Sequence, residues 1–295
     1  MHALRPGAAH RRHPTAAGRR SAVLHILLSL LASLALLIAL PGAADAAGTT
    51  DRSKRPTHPE RDWLGSTIRA HERQPSPTGL PQPPPLAASV EGVDVSSHNG
   101  NVPWTTLWNS GNRFAYVKAT EGTSYTNPYF TQQYNGSYAV GMIRGAYHFA
   151  LPDNSSGTAQ ANYFADHGGG WSRDGRTLPG VLDMEYNPYG PVCYGKSASA
   201  LVDWIGDFFR TYRARTGRDA LIYTSTTWWK QCTGNYRGFG AVNPLWIPRY
   251  GASVGELPGS WGFHTVWQYT DTGPTVGDHN RFNGAYDRLQ ALANG

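Results

Sequence analysis

The six residues from Val181 to Tyr186, Val-Leu-Asp-Met-Glu-Tyr, set two carboxylates two positions apart in an otherwise apolar run. In an extended strand successive side chains point to opposite faces, so Asp183 and Glu185 share one face and Leu182 and Met184 the other. Two carboxylates that look into one space cannot both ionise comfortably, and one can be held protonated while its neighbour stays charged. Cleavage of a glycosidic bond calls for that pair of states. Asp-x-Glu on its own also describes an ordinary solvated strand face, so its meaning depends on the elements around it.

Those elements alternate. Val90–Ser97, Phe114–Ala119, Met142–Ala150 and Pro179–Tyr186 read as strands, and the segments between them, Pro103–Asn112, Pro128–Val140 and Ser155–His167, carry helical spacing. The strongest helical pattern runs from Ser197 to Arg215, with Leu201, Val202, Ile205, Phe208, Phe209 and Tyr212 on one broad face and Gly217 at the stop. Further on, Ala220–Thr224, Leu245–Tyr250, Thr265–Tyr269 and Gly277–Phe282 read as strands with little helical pattern between them, and Ala285–Ala293 as a closing helix. Eight strands alternating with fewer helices imply an α/β class, a single TIM-like barrel of eight strands with a reduced helical ring. Barrel chemistry sits at the carboxyl ends of the strands, where Asp94, Glu121, His148, Asp183, Glu185 and Gln268 all fall.

The 295-residue chain carries a formal charge of +6, and its location matters more than its sum. Residues 1–46 hold five Arg against one Asp, and residues 47–86 hold six basic against four acidic residues. From Ala87 onward the 15 basic and 15 acidic residues balance, which gives no compositional footprint for nucleic acid.

Arg19-Arg20, the apolar run Ala22–Leu40 and Ala44-Asp45-Ala46 follow the order of a secretory signal peptide over residues 1–46; Arg19-Arg20 fits twin-arginine export, and the residues after it leave the route open. A retained anchor is the competing reading, because the run approaches the ~20 residues that span a bilayer. Residues 47–86 hold eight prolines among charged and polar residues and read as a disordered linker, with Trp63 and Leu64 as a short sticky element. Residues 87–295 form the candidate catalytic barrel. In an exported chain Cys193 and Cys232 are expected to form a disulfide.

Other chemistries find little support. His98, His148, His264 and His279 lack the His-x-x-x-His spacing of a zinc site and read as hydrogen-bonding wall residues, so no metal or other cofactor is expected. No Gly-x-Ser-x-Gly elbow occurs, and pairing of the cysteines leaves no free thiol nucleophile.

From Glu91 to Gly284 the chain resembles the glycoside hydrolase family 25 lysozymes. The matching pieces are Gly92-Val93-Asp94-Val95-Ser96 with Asn99-Gly100, Phe114 to Gly122, Gly145-Ala146-Tyr147-His148-Phe149, Leu182-Asp183-Met184-Glu185, Trp267-Gln268-Tyr269-Thr270 and Asp278-His279-Asn280 with Phe282. The resemblance implies N-acetylmuramidase action on the β-1,4 bond between N-acetylmuramic acid and N-acetylglucosamine in bacterial peptidoglycan. It makes Glu185 the general acid, Asp183 the group that stabilises charge or orients the substrate's acetamido group, and Asp94 and Asp278 the remaining active-site acids. Glu121 is given a supporting role there, and Tyr147, Tyr186 and Trp267 are expected to contact sugar, since aromatic faces stack on sugar rings. A secreted monomer without stable membrane association after signal cleavage completes the expectation. Two alternatives stay open: a non-catalytic peptidoglycan-binding barrel, and a chitinase-like barrel, whose Asp-x-x-Asp-x-Asp-x-Glu strand is not matched by Pro179-Gly180-Val181-Leu182 before Asp183.

Overall fold

A computed structural model describes residues 55–74 and 88–295. The expected signal peptide and the linker residues 47–54 and 75–86 lie outside the described residues. In the chain from Val90 onward nine strands form one sheet: β1 (Val90–Val95), β2 (Phe114–Glu121), β3 (Tyr125–Thr126), β4 (Ile143–Phe149), β5 (Val181–Asp183), β6 (Leu221–Tyr223), β7 (Leu245–Pro248), β8 (Val266–Thr270) and β9 (Asp278–Phe282). Their order is β1-β9-β8-β7-β6-β5-β4-β2-β3, and a further pairing of β1 with β2 closes eight of them into a barrel. Neighbours from β1 through β2 and β4 to β8 run parallel; β9 lies antiparallel between β8 and β1. The short β3 forms only a hairpin on the end of β2.

Alternation sorts the strand residues into two layers. Phe114, Tyr116, Tyr147, Val181, Leu221, Tyr223, Trp246 and Phe282 fill the barrel interior. Gly145 is there for space: a Cβ would lie 2.2 Å from the Tyr116 ring, so the strand admits the aromatic filling only without a side chain. The outward residues meet a partial ring of helices. Of these, α2 (Trp104–Asn109) and α3 (Phe130–Ala139) flank β2, while α4 (Gly157–Asp166), α5 (Ala198–Thr216) and α6 (Thr226–Thr233) follow β4, β5 and β6 in turn. No helix joins β7 to β8 or β8 to β9, and α7 (Tyr286–Asn294) ends the chain.

Local chemistry sets the helix ends. Ser197 caps α5 by accepting from the Ala200 N–H at 3.2 Å, and Gly217 ends it at φ +75°, a conformation that favours glycine. Phe208 and Tyr212 of α5 stack on Phe164 of α4, and Leu201 and Ile205 are buried in the same core. Helix α6 was not legible in sequence. It is short, and its Ser225 cap precedes Trp228 and Trp229, both fully buried, on a segment with few other apolar residues.

The expectation of a structureless linker fails for residues 55–74. They form a 3-10 turn (Pro59–Arg61) and a one-turn helix α1 (Ile68–His71), and bury Asp62, Leu64 and Ile68. The two buried aliphatic side chains account for this order, because a proline-rich composition disfavours only a segment that lacks a surface to bury against.

Candidate active site

Four acids converge at the carboxyl end of the barrel. Strand β5 stops at Asp183, and Glu185 stands two residues beyond it; the Met184 N–H still donates to the Tyr223 carbonyl at 2.9 Å, which carries the pairing one residue past the strand. Asp94 near the end of β1 and Asp278 at the start of β9 are register partners across an antiparallel pair. All four are at least nine-tenths buried.

One side chain ties this cluster together. Gln268 on β8 donates through Nε2 to Asp94 Oδ2 at 3.0 Å and to Asp278 Oδ2 at 3.3 Å, and its Oε1 accepts from the hydroxyls of Tyr223 at 2.7 Å and Tyr250 at 3.0 Å. Asn280 adds a second donor to Asp94 Oδ2 at 2.8 Å and accepts from the Trp246 indole at 3.0 Å. Sequence reading placed Gln268 at a strand end but missed its bridging role; it quoted Asn280 without a role and left out Tyr223 and Tyr250. For Asn280 the signal was present: it lies two residues from Asp278 on one strand, hence on the same face.

Crowding and burial push every one of these acids upward. Burial raises Glu185 to about 7 against the pull of the donors on its carboxylate, and it raises Asp94 to about 7 against the donors Asn280 and Gln268. Asp183 is held well above the ordinary range by burial first and by the neighbouring Glu185 next. Asp278 is raised likewise, by burial and by Asp94. Neither carboxylate oxygen of Asp183 has a hydrogen-bond partner among the described residues, so its charge has no close compensation there. Such a cluster keeps protons available near neutral pH, as acid catalysis requires.

Glu121 stands apart from this quartet. It forms a fully buried ion pair with Lys118 at 2.6 Å and accepts from the Tyr189 hydroxyl at 2.9 Å. Tyr147 is in the interior, and its hydroxyl accepts from the Leu64 N–H at 3.2 Å. Tyr186 stacks on His71 at 4.2 Å and donates to Glu72 at 3.0 Å. Trp267 takes the opposite strand face from Gln268; its indole donates to the Arg249 carbonyl at 2.7 Å and its ring meets Tyr269 edge-on. Strand alternation turns Trp267, expected to contact sugar, out of the barrel interior. His148 is a buried bridge from Thr120 at 2.8 Å to Gln160 at 2.9 Å, and burial lowers it to about 3. A disulfide joins Cys193, in the loop after β5, to Cys232 on α6.

Residues 55–74 lie against this end of the barrel. Gly65 N donates to Glu185 Oε1 at 2.8 Å, and Thr67 N donates to Glu185 Oε2 at 3.0 Å, joined there by the Thr67 hydroxyl. The Leu64 carbonyl accepts from Gln268 Nε2 at 2.9 Å. Beside this segment Asp94 and Asp278 open onto a cavity of about 250 Å³ that Trp63, His98 and Asp271 also line.

Comparison with known proteins agrees with this geometry. The model of the glycosyl hydrolases family 25 matches residues 93–278. The chain is 44% identical to lysozyme M1 of Streptomyces globisporus, over 94% of this chain and 96% of that protein. It is 48% identical to an N,O-diacetylmuramidase of Chalaropsis sp., over 70% of this chain and all of the other. Among solved structures, the muramidase of Acremonium alcalophilum superposes with a TM-score of 0.69 at 55% identity, covering 70% of this chain and 99% of that one. On its sequence match and its eight-stranded barrel, the chain belongs to glycosyl hydrolase family 25 and is a glycoside hydrolase of the lysozyme type.

Proposed function

We propose that the chain is an exported 1,4-β-N-acetylmuramidase that hydrolyses the bond from N-acetylmuramic acid to N-acetylglucosamine in bacterial peptidoglycan. The observation that carries this reading is the buried quartet of Asp94, Asp183, Glu185 and Asp278 at the carboxyl end of the barrel, with Asp183 uncompensated beside Glu185. The signal-like order of residues 1–46 supports export.

Glu185 gives its proton to the glycosidic oxygen as the bond to C1 of the muramic acid residue breaks. Asp183 faces the positive charge that develops on that sugar, or orients its acetamido oxygen toward C1. Water then supplies hydroxyl to C1 and its remaining proton to the site, so the acid is restored. Asp94 and Asp278, held by Gln268 and Asn280, fix the field and receive sugar hydroxyls or the attacking water. The relatives named N,O-diacetylmuramidase extend the proposal to walls whose muramic acid is O-acetylated.

The test is identification of the new sugar ends. Purified peptidoglycan is digested, reduced with borohydride and hydrolysed for mass spectrometry. Muramitol at the new ends is the expected result. Glucosaminitol would reassign the bond, and binding to the wall without new ends would indicate a glycan-binding barrel.

A further inference from the structure

Residues 58–74 engage the working end of the barrel at point after point. Lys118 donates to the carbonyls of Pro59 and Asp62, and the Tyr189 hydroxyl donates to the Asp62 carboxylate. Trp63 packs against His98 with ring centroids 4.5 Å apart. Arg69 forms an ion pair with Asp271, and Glu72 accepts from Tyr186 and Ser225. These partners come from strands and loops distributed around the barrel, so the segment crosses the cleft and is not confined to its edge.

Two features make this crossing a blockade. The first is at Glu185, whose carboxylate accepts from Gly65 N, Thr67 N and the Thr67 hydroxyl. A carboxylate held by three donors is held as an acceptor, whereas a general acid must present its own proton to a glycosidic oxygen. The second is the fit of the backbone. Gly65 sits at φ +92°, and a Cβ there would lie 2.5 Å from the Tyr223 hydroxyl, 2.6 Å from that of Tyr250 and 2.7 Å from Gln268 Oε1. The main chain is thus seated on the floor formed by the network that binds Asp94, and a sugar ring has no room between them.

Cavities of about 250, 620 and 540 Å³ flank the segment and are lined in part by its Trp63, Glu72 and His58 respectively. The Chalaropsis relative matches 70% of this chain over its whole length, a share no greater than the barrel, while the S. globisporus relative spans 94% and therefore reaches across this segment.

We propose that residues 58–74 are an inhibitory pro-segment that occupies the glycan cleft of the same chain, and that activity requires its withdrawal from Glu185. The proposal rests on Glu185 being the catalytic acid.

The experiment uses the chain from Gly48 onward with the recognition sequence of a site-specific endopeptidase replacing residues 77–83. Solubilisation of peptidoglycan is measured on the intact chain and again after cutting and gel filtration. The tethered segment acts at a millimolar effective concentration, so the intact chain is expected to work at about a hundredth of the rate of the separated barrel or less. A synthetic peptide of residues 55–74 then restores inhibition, raising KM for soluble glycan fragments without changing kcat, and a Gly65→Val peptide does not. Gly65→Val in the intact chain raises its rate. Equal rates before and after cutting, or a peptide that leaves KM unchanged, overturn the proposal. If neither form cleaves the wall, titration of the separated barrel with the peptide, followed by Trp63 fluorescence, decides. Saturable binding by the native peptide alone keeps the cleft assignment and rejects the muramidase reading, and absence of binding rejects the pro-segment.

Discussion

Replacing Lys118 by Met would remove the positive partner from a fully buried ion pair. Lys118 Nζ lies 2.6 Å from Glu121 Oε2 and 3.0 Å from the Pro59 carbonyl. Breaking such a pair by deleting one partner costs about 3–5 kcal/mol, because the other charge is left buried alone. Protonation of Glu121 limits that loss. Burial has raised it from 4.5 to about 7 while Lys118 pulls it down, so removing Lys118 pushes it higher still. A carboxyl raised in the folded state binds more protons than in the unfolded chain. Its contribution is therefore fully present below 4.5 and disappears as pH rises through about 7. At pH 8, one unit above that value, Lys118→Met should thus lose about 1 kcal/mol to ionisation besides about 1–2 kcal/mol of hydrogen bonds, in all about 2–3 kcal/mol or about 4–12 °C in Tm for a unit of this size. At pH 5, with Glu121 neutral in both proteins, only hydrogen bonds are lost and the cost drops to about 1–2 kcal/mol. Urea unfolding at the two pH values measures the difference, and adding Glu121→Gln should recover the part that appears only at pH 8, about 1 kcal/mol. Equal destabilisation at both pH values, or no recovery in the double variant, would refute the reasoning.

The parent protein should itself lose stability between pH 5 and pH 8, since Glu185 and Asp94 are both raised to about 7 and each forfeits up to about 3 kcal/mol over the two pH units in which the unfolded chain has ionised and the folded carboxyl has not. Calorimetric Tm values at those pH values test this, and a Tm that holds or climbs would contradict the buried quartet. Cys193→Ser with Cys232→Ser opens a bridge of sequence separation 39 and should cost about 4 kcal/mol, read as a shifted urea midpoint; a shift under about 1 kcal/mol would mean that loop closure contributes little.

Much of this barrel was legible because alternation and helical spacing survive in the primary structure. The runs around Phe114, Ile143 and Leu221 announced their strands, and α5 declared both its apolar face and its glycine stop. Asp183 and Glu185 stood out by strand spacing alone, whereas Asp278 without the family resemblance reads as an ordinary turn. What escaped was whatever depends on long-range pairing. Gln268 bridges Asp94, Asp278, Tyr223 and Tyr250 only because four strands distant in sequence close on one another. Trp267 lies one step of strand alternation from Gln268 and so takes the opposite face.

The largest misreading was the linker. Proline content masked a segment whose Trp63, Leu64 and Ile68 find burial or aromatic contact on a surface formed far along the chain. Local composition reports the entropy opposing order there, and only the barrel supplies the opposing gain.

Substitution of Glu185 by Gln, assayed on the barrel separated from residues 55–74, tests the proton-donor assignment most directly when two leaving groups are compared. On peptidoglycan, whose leaving sugar oxygen needs protonation, the variant should lose about 10²–10⁴-fold in kcat. On a dinitrophenyl β-glycoside of N-acetylmuramic acid, whose leaving group departs unprotonated, it should stay within about tenfold of the parent. Equal losses on the two substrates would show that Glu185 is not the acid that protonates the glycosidic oxygen.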